Sequence, residues 1–314
     1  MTKVFIDGAA GTTGLEIRDR LSGHAGLTLT ALEGDQRKDV SARKAALNAA
    51  DVVILCLPDD AAKEAVALID NPAVKVIDAS TAHRTAEGWT YGFAEMKPGQ
   101  RAAIAASKRL TNPGCYPTGF LALAAPLVRE GLLPTGFPIT VNAVSGYSGG
   151  GRSMIAEFED ETAANFTHSA VRTYGLNLQH KHVGEMQVHA GLEHPPIFAP
   201  SVGRFYRGML VEVPLQLWAM AGHPSVKQVH AALAEAYVGE KLVEVASLED
   251  GHATLDAELL KGTDRLKLFV FGNETRGQAR LIAALDNLGK GASGAAVQNF
   301  NLMTDRDETA GLVL

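Results

Sequence analysis

An apolar run, Val4 to Asp7, passes directly into Gly8-Ala9-Ala10-Gly11-Thr12-Thr13-Gly14 and then into a helical stretch, Leu15 to Leu21. Three glycines at three-residue spacing between a strand and a helix restrict the fold more than any other feature of the chain. They start a βαβ unit and aim the unpaired N–H groups of a helix N-terminus beyond the strand end. An anion such as a dinucleotide pyrophosphate can sit there, where a side chain at Gly8 or Gly11 would block its approach. Gly8, Gly11, Thr12, Thr13 and Gly14 are therefore the expected cofactor turn. The spacing departs from the commoner G-x-G-x-x-G, and a plain tight turn is the alternative.

The alternation continues. Thr28 to Leu32 reads as a second strand, Val52 to Leu57 as a third ended by Pro58, Ala61 to Leu68 as a helix and Val74 to Ala79 as a further strand. Such a series predicts a parallel sheet covered on both faces. Beyond Cys115 the strands lengthen: Ile139 to Ser145, Met209 to Leu217, Leu266 to Gly272 and Gln278 to Leu285, with a helix over Ser225 to Tyr237. A last helix, about Ala292 to Leu302, follows Gly289-Lys290-Gly291 and is expected to return to the first domain. The fold class is α/β: a Rossmann-type dinucleotide-binding domain over 1–114, completed by about 287–314, and an α+β catalytic and oligomerisation domain over 115–286 on a mixed or antiparallel sheet.

Composition narrows the function. The 314 residues are 46% hydrophobic and 20% charged with net charge −6, which argues against nucleic acid or an anionic membrane as the main partner. No run approaches the roughly 18–20 apolar residues of a membrane span, and the N-terminus lacks an apolar signal region. Two cysteines, Cys56 and Cys115, make a disulfide framework improbable and point to a reducing cytoplasm.

Cys56 lies in the apolar run Val52 to Leu57 and reads as a small core residue. Cys115 lies in Asn112-Pro113-Gly114-Cys115-Tyr116-Pro117-Thr118, ahead of the helical run Gly119 to Leu127. A cysteine at a helix mouth is favoured as thiolate, a nucleophile able to carry an acyl group. An acid/base partner is sought in Gln179-His180-Lys181-His182-Val183-Gly184-Glu185. On a helix, His182 and Glu185 share a face; if the segment opens as a loop, His180 reaches out and Glu185 orients it from the following helix. Spacing alone leaves both histidines open. A metal centre using these histidines with His189 and His194 lacks an acidic or sulfur ligand set, so none is expected.

Past the second strand, Glu33 is followed by Arg37 and Lys38, two cations suited to the 2′-phosphate of NADP. Arg84 and Arg152 stand where guanidinium groups can hold phosphate or carboxylate. Gly146-Tyr147-Ser148-Gly149-Gly150 matches the G-x-S-x-G of serine hydrolases, but three glycines and Arg152 follow the serine, and an extended, flexible loop over a ligand is the reading preferred.

With these residues in place, the chain resembles the short form of the N-acetyl-γ-glutamyl-phosphate reductases, the arginine-pathway branch of the semialdehyde dehydrogenase group. The resemblance runs through the glycine turn, Asn112 to Thr118, Ser145 to Arg152, His180 to Glu185 and Asp286-Asn287-Leu288-Gly289-Lys290-Gly291-Ala292-Ser293-Gly294. It implies Cys115 as nucleophile, His180 as acid/base with Glu185 behind it, Arg84, Asn112, Ser148 and Arg152 as substrate-binding residues, and Asn287 beside the nicotinamide. It further implies NADP(H) as cofactor, a small acyl phosphate and phosphate as ligands, and a homodimer or homotetramer.

Overall fold

The computed structural model describes residues 1–314, which divide into two compact units. The first comprises Met1–Ala94, Gly99–Gly114 and Ala292–Leu312, the second Glu95–Pro98, Cys115–Gly291 and Val313–Leu314.

The first unit runs β1 (Thr2–Asp7), α1 (Thr12–Ser22), β2 (Leu27–Thr30), α2 (Val40–Ala49), β3 (Val52–Leu55), α3 (Asp59–Ala67), β4 (Lys75–Asp78), β5 (Thr90–Tyr91), α4 (Gln100–Ala106) and β6 (Arg109–Thr111). Its six strands form a parallel sheet in the order β2-β1-β3-β4-β6-β5. The continuous apolar runs of the sequence follow from burial on both faces. Val4, Ile6, Val52, Ile54 and Ile77 enter one core cluster, while Phe5, Val53, Leu55 and Val76 enter the other. Helix α2 has no counterpart among the expected elements. Leu47 is its one buried residue, so it carries almost no apolar periodicity, and Asp39 starts it by accepting from the N–H groups of Ser41 and Ala42.

The second unit follows with α5 (Cys115–Arg129), β7 (Thr140–Gly146), α6 (Gly151–Glu159), β8 (Val171–Thr173), α7 (His182–Ala190), β9 (Ile197–Gly203), β10 (Met209–Gln216), α8 (Val226–Ala236), β11 (Val243–Val245), β12 (Leu266–Asn273) and β13 (Gln278–Leu285). Its seven-stranded sheet has the order β11-β12-β13-β10-β7-β9-β8 and is mixed. β7 with β9 and β11 with β12 are parallel, and the remaining pairs are antiparallel. Helices α5 and α8 cover one face. The Tyr147–Arg152 segment corrects the expected extended loop: Tyr147–Gly150 form a 3₁₀ turn that leads straight into α6.

The chain returns to the first unit in α9 (Gly294–Met303), whose Ala296, Val297, Phe300 and Met303 complete the cluster around Ile17 and Ile54. No helix is long and apolar enough to cross a membrane.

Candidate active site

In the first unit the glycine turn fits a pyrophosphate, but its glycines divide the work. Gly8 has φ +87°, and a Cβ there would lie 2.3 Å from the Cys56 carbonyl oxygen; at Gly14 a Cβ would lie 2.4 Å from the Gly8 oxygen. The packing of turn on strand and of helix on turn already requires glycine at both, whereas the spacing gave ligand approach as the reason at Gly8 and Gly11. Only Gly11 faces space, with its nearest neighbour at 3.5 Å. No side chain caps α1 there, so the first-turn amides, including those of Thr12 and Thr13, remain to meet an anion.

Arg37 and Lys38 close a 3₁₀ turn, Gly34–Arg37, just beyond β2 and are both exposed; Arg37 Nε donates to the Gly34 carbonyl at 3.2 Å. A third cation, Arg43 on α2, donates from Nη2 to Asp7 Oδ2 at 2.9 Å and neutralises the carboxylate that ends β1. With α2 missing from the expected elements, nothing in the sequence singled it out.

Arg84 and Asn112 are both buried and tied to the backbone of the first unit. Arg84 is buried, with Nε donating to the Asn112 carbonyl at 3.1 Å and Nη2 to the Ala79 carbonyl at 3.2 Å. Asn112 is 1% exposed. Its amide N–H donates to the Asp78 carbonyl, its Nδ2 to the Ala292 carbonyl and its Oδ1 accepts from Asn299 Nδ2. All four of its polar groups are thus engaged within the first unit. These bonds brace the segment that precedes Cys115, beside the binding role the resemblance implies for Asn112.

In the second unit Cys115 is the first residue of α5 and is partly exposed. Pro117, which has no N–H, occupies a position where the helix has no acceptor for one. A Cβ at Gly291 would come within 2.8 Å of Cys115 Cβ, so backbone rather than a side chain walls one side of the cysteine. Aromatic rings close the neighbourhood. Tyr174 Oη donates to Tyr116 Oη at 3.0 Å, and the His180 ring lies 6.1 Å from Tyr116, 5.8 Å from Tyr174 and 4.8 Å from His182 between centroids. Burial pushes Tyr174 up to about 12, with the neighbouring Cys115 adding to the rise, and burial likewise raises Tyr116. Both therefore stay protonated and uncharged beside the sulfur at neutral pH. Tyr174 carried no spacing signal in the sequence.

His180 precedes α7 in a loop, whereas His182 and Glu185 share the buried face of that helix's first turn. The His180 ring is not oriented by Glu185. Its Nδ1 accepts from the His182 amide at 3.2 Å, which leaves the ring proton on Nε2. Burial, helped by Lys181, lowers His180 to about 4, so the imidazole is neutral under ordinary conditions and presents an N–H donor.

Ser148 is 2% exposed, and its Oγ accepts from Asn287 Nδ2 at 2.9 Å. Although Ser148 does lead into a helix, as a nucleophile elbow would, its side-chain partner is an amide and not a histidine, which removes the hydrolase reading. That contact uses one lone pair of Ser148 Oγ and leaves its O–H free to donate to a ligand. Asn287 Oδ1 accepts from the Gly208 amide at 2.8 Å, leaving one Nδ2 hydrogen for any further ligand. Arg152 is exposed in the first turn of α6, where guanidinium and helix N-terminus favour the same anion. No group of three or more potential ligands is placed to hold a metal ion.

Comparison with known proteins bears on the fold and the family. The semialdehyde dehydrogenase NAD-binding domain family matches residues 3–104, and the semialdehyde dehydrogenase dimerisation domain family matches 115–287. Over 99% of both chains this one is 52% identical to N-acetyl-gamma-glutamyl-phosphate reductase 2 of a Nostoc species. It is 53% identical to N-acetyl-gamma-glutamyl-phosphate reductase of Brucella ovis, covering 96% of this chain and 98% of that one. Among solved structures, aspartate semialdehyde dehydrogenase II of Vibrio cholerae, complexed with ASA, superposes at TM-score 0.71 over 97% of this chain and 98% of its own at 15% identity. Aspartate semialdehyde dehydrogenase of Candida albicans with NADP gives 0.67 over 98% and 99% at 14% identity, and both likenesses speak to the fold alone. The chain belongs to the N-acetyl-gamma-glutamyl-phosphate reductase family of semialdehyde dehydrogenases.

Proposed function

We propose that the chain reduces N-acetyl-L-glutamyl 5-phosphate to N-acetyl-L-glutamate 5-semialdehyde with release of phosphate, using NADPH and a thioester on Cys115. The observation that carries this is the cysteine at the first position of α5, walled by glycine backbone and neighboured by the uncharged hydroxyls of Tyr116 and Tyr174.

The Cys115 thiolate attacks the acyl carbon; a C–S bond forms, the C–O bond to phosphate breaks and phosphate leaves with the electron pair. First-turn amides of α5 are suited to the oxyanion that develops, as helix N-termini are to any anion. Arg152 at the start of α6 is the candidate clamp for the departing phosphate; Arg84, the other arginine the resemblance implies for the substrate, is buried in the first unit. Bound NADPH supplies the hydride that reduces the thioester carbonyl. Gly11, Thr12, Thr13 and the exposed Arg37 and Lys38 are the residues suited to hold its pyrophosphate and 2′-phosphate. The Nε2–H of neutral His180 hydrogen-bonds the carbonyl oxygen as negative charge develops on it and then the sulfur as it leaves as thiolate; the proton stays on the ring and the alkoxide collapses to the aldehyde.

Replacing Cys115 by Ala tests the reading. Wild-type protein should form acetylglutamate semialdehyde and phosphate from the acyl phosphate and NADPH, and the variant should form neither. Appreciable turnover by the variant would sink the covalent route.

The face of the second sheet away from α5 carries Val144, Leu210, Pro214 and Phe271 around an Arg280–Glu212 ion pair and is indented by grooves of about 700 and 800 Å³. We propose it as the surface through which two copies pair, in keeping with the dimerisation-domain match. Light scattering on Arg280→Glu, which sets two acids side by side, should show monomer; an unchanged mass would place the interface elsewhere.

A further inference from the structure

Lys290 and Glu95 form an ion pair that the mechanism above does not use. Lys290 Nζ lies 2.8 Å from both carboxylate oxygens of Glu95, and the two side chains are 2% and 0% exposed. Burying two charges costs more in lost hydration than a matched pair usually recovers, so such a pair is poorly explained by stability alone. A role in fixing geometry explains it better.

The geometry it fixes is next to the nucleophile. Gly291, the residue after Lys290, is the one whose added Cβ would strike Cys115 Cβ at 2.8 Å and Cys115 Cα at 3.3 Å. Its amide is pinned from the other side by the Asp286 carbonyl at 3.0 Å. Asp286 is itself held, its carboxylate accepting from the amides of Leu288, Gly289 and Gly262 and from Arg207 Nε. The turn that walls Cys115 is thus anchored at its start by Asp286 and at its end by Lys290. Glu95, in the short Glu95–Pro98 segment of the second unit, provides the second anchor.

We propose that Glu95 and Lys290 are positioning residues for Cys115: by holding Gly291 against the cysteine Cβ, they deny Sγ the rotamer on that side and keep it turned toward the acyl carbon. This rests on the thioester reading. It commits only to the orientation of the thiol, which can be read without turnover.

The test is the full-length double variant Lys290→Met/Glu95→Leu, which replaces both charges of the pair with apolar groups of similar volume. It is expected to melt at or above the wild-type temperature. Its kcat should fall roughly tenfold or more, with KM for the acyl phosphate within about twofold, the split expected when a group acts on the reaction and not on binding. The rate of alkylation by iodoacetamide at Cys115, measured without substrate, should fall in parallel. Cys56 serves as an internal control, because burial raises its thiol to about 12 and keeps it unreactive. Wild-type kcat and alkylation in a folded double variant would overturn the proposal, as would a fall in kcat with alkylation unchanged. Should the double variant not fold, Glu95→Asp keeps both charges while withdrawing the carboxylate by one methylene. The same split at smaller size is expected there, and wild-type alkylation would overturn the proposal. Turnover by Cys115→Ala would remove the thioester reading and leave the alkylation comparison intact.

Discussion

The hydroxyl of Tyr237 donates to the carbonyl of Ala122 at 2.9 Å, and Ala122 lies four residues before Pro126 in the middle of α5. A proline has no N–H to give the carbonyl one turn back, so this acceptor would otherwise be buried without a partner. Tyr237 supplies from outside what the helix cannot, which lets the helix that starts at Cys115 run on as Cys115–Arg129. Tyr237→Phe should therefore destabilise the protein by about 1–3 kcal/mol, read as a lower urea midpoint at unchanged slope. The kcat of the folded variant should stay near wild type. An unmoved midpoint would mean that the carbonyl does not depend on the tyrosine.

The glycine turn makes a sharper prediction, because Gly8 and Gly11 look alike in sequence and not in space. Gly8→Ala forces φ +87° on an alanine and drives its Cβ into the Cys56 carbonyl. Loss of about 1–3 kcal/mol or more is expected before any cofactor is added. Gly11→Ala meets only an ordinary contact and an unstrained backbone, so its melting temperature should hold while NADPH affinity, followed by fluorescence, falls roughly tenfold. Equal loss of stability in the two variants would contradict this division of labour.

Cofactor preference should separate Arg37 and Lys38 from Arg43. Neutralising Arg37 and Lys38, both exposed, is expected to cut the NADPH-to-NADH ratio of kcat/KM by about tenfold, one charge–phosphate contact being of that order. Arg43→Met removes the partner of Asp7, so it should lower stability and leave the ratio alone. If Arg43→Met changes the ratio and the Arg37/Lys38 variant does not, the 2′-phosphate is read by the α2 helix.

What sequence could foresee here follows from how each residue earns its place. The parallel strands were legible because both faces are buried, which writes uninterrupted runs such as Val52 to Leu55. Helix α2 was hidden because a helix with one buried residue has no stripe to detect. At the candidate site, the place of Cys115 at a helix mouth was legible from local chain chemistry, a cysteine two residues before a proline and ahead of an apolar helical run. The Tyr174–Tyr116 contact, the commitment of Asn112 to Ala292 and Asn299, and the Lys290–Glu95 pair each join residues far apart in sequence, so no local pattern announces them. The Tyr147–Arg152 segment was misjudged for a different reason. Its glycines suggested mobility, whereas Ser148 is fastened by Asn287 and the chain turns directly into α6.

His180 carries the prediction that most directly tests the chemistry. Its Nδ1 accepts from the His182 amide and burial lowers it to about 4, so at neutral pH it is a neutral donor through Nε2. The unfolded chain, with histidine at its ordinary 6.5, binds the proton more readily. The contribution of this residue to stability is therefore complete above about pH 6.5 and is lost as the pH falls toward 4; partial exposure keeps it small. Proton NMR of the ring should show a midpoint near 4, and kcat should have no acid limb near 6.5 that disappears on replacing His180. Because the group acts by donating, His180→Asn, whose side-chain amide offers an N–H, should retain roughly tenfold more activity than His180→Ala. Equal losses in the two variants, together with an acid limb near 6.5, would mean that the imidazole instead takes up and releases a proton in the reaction.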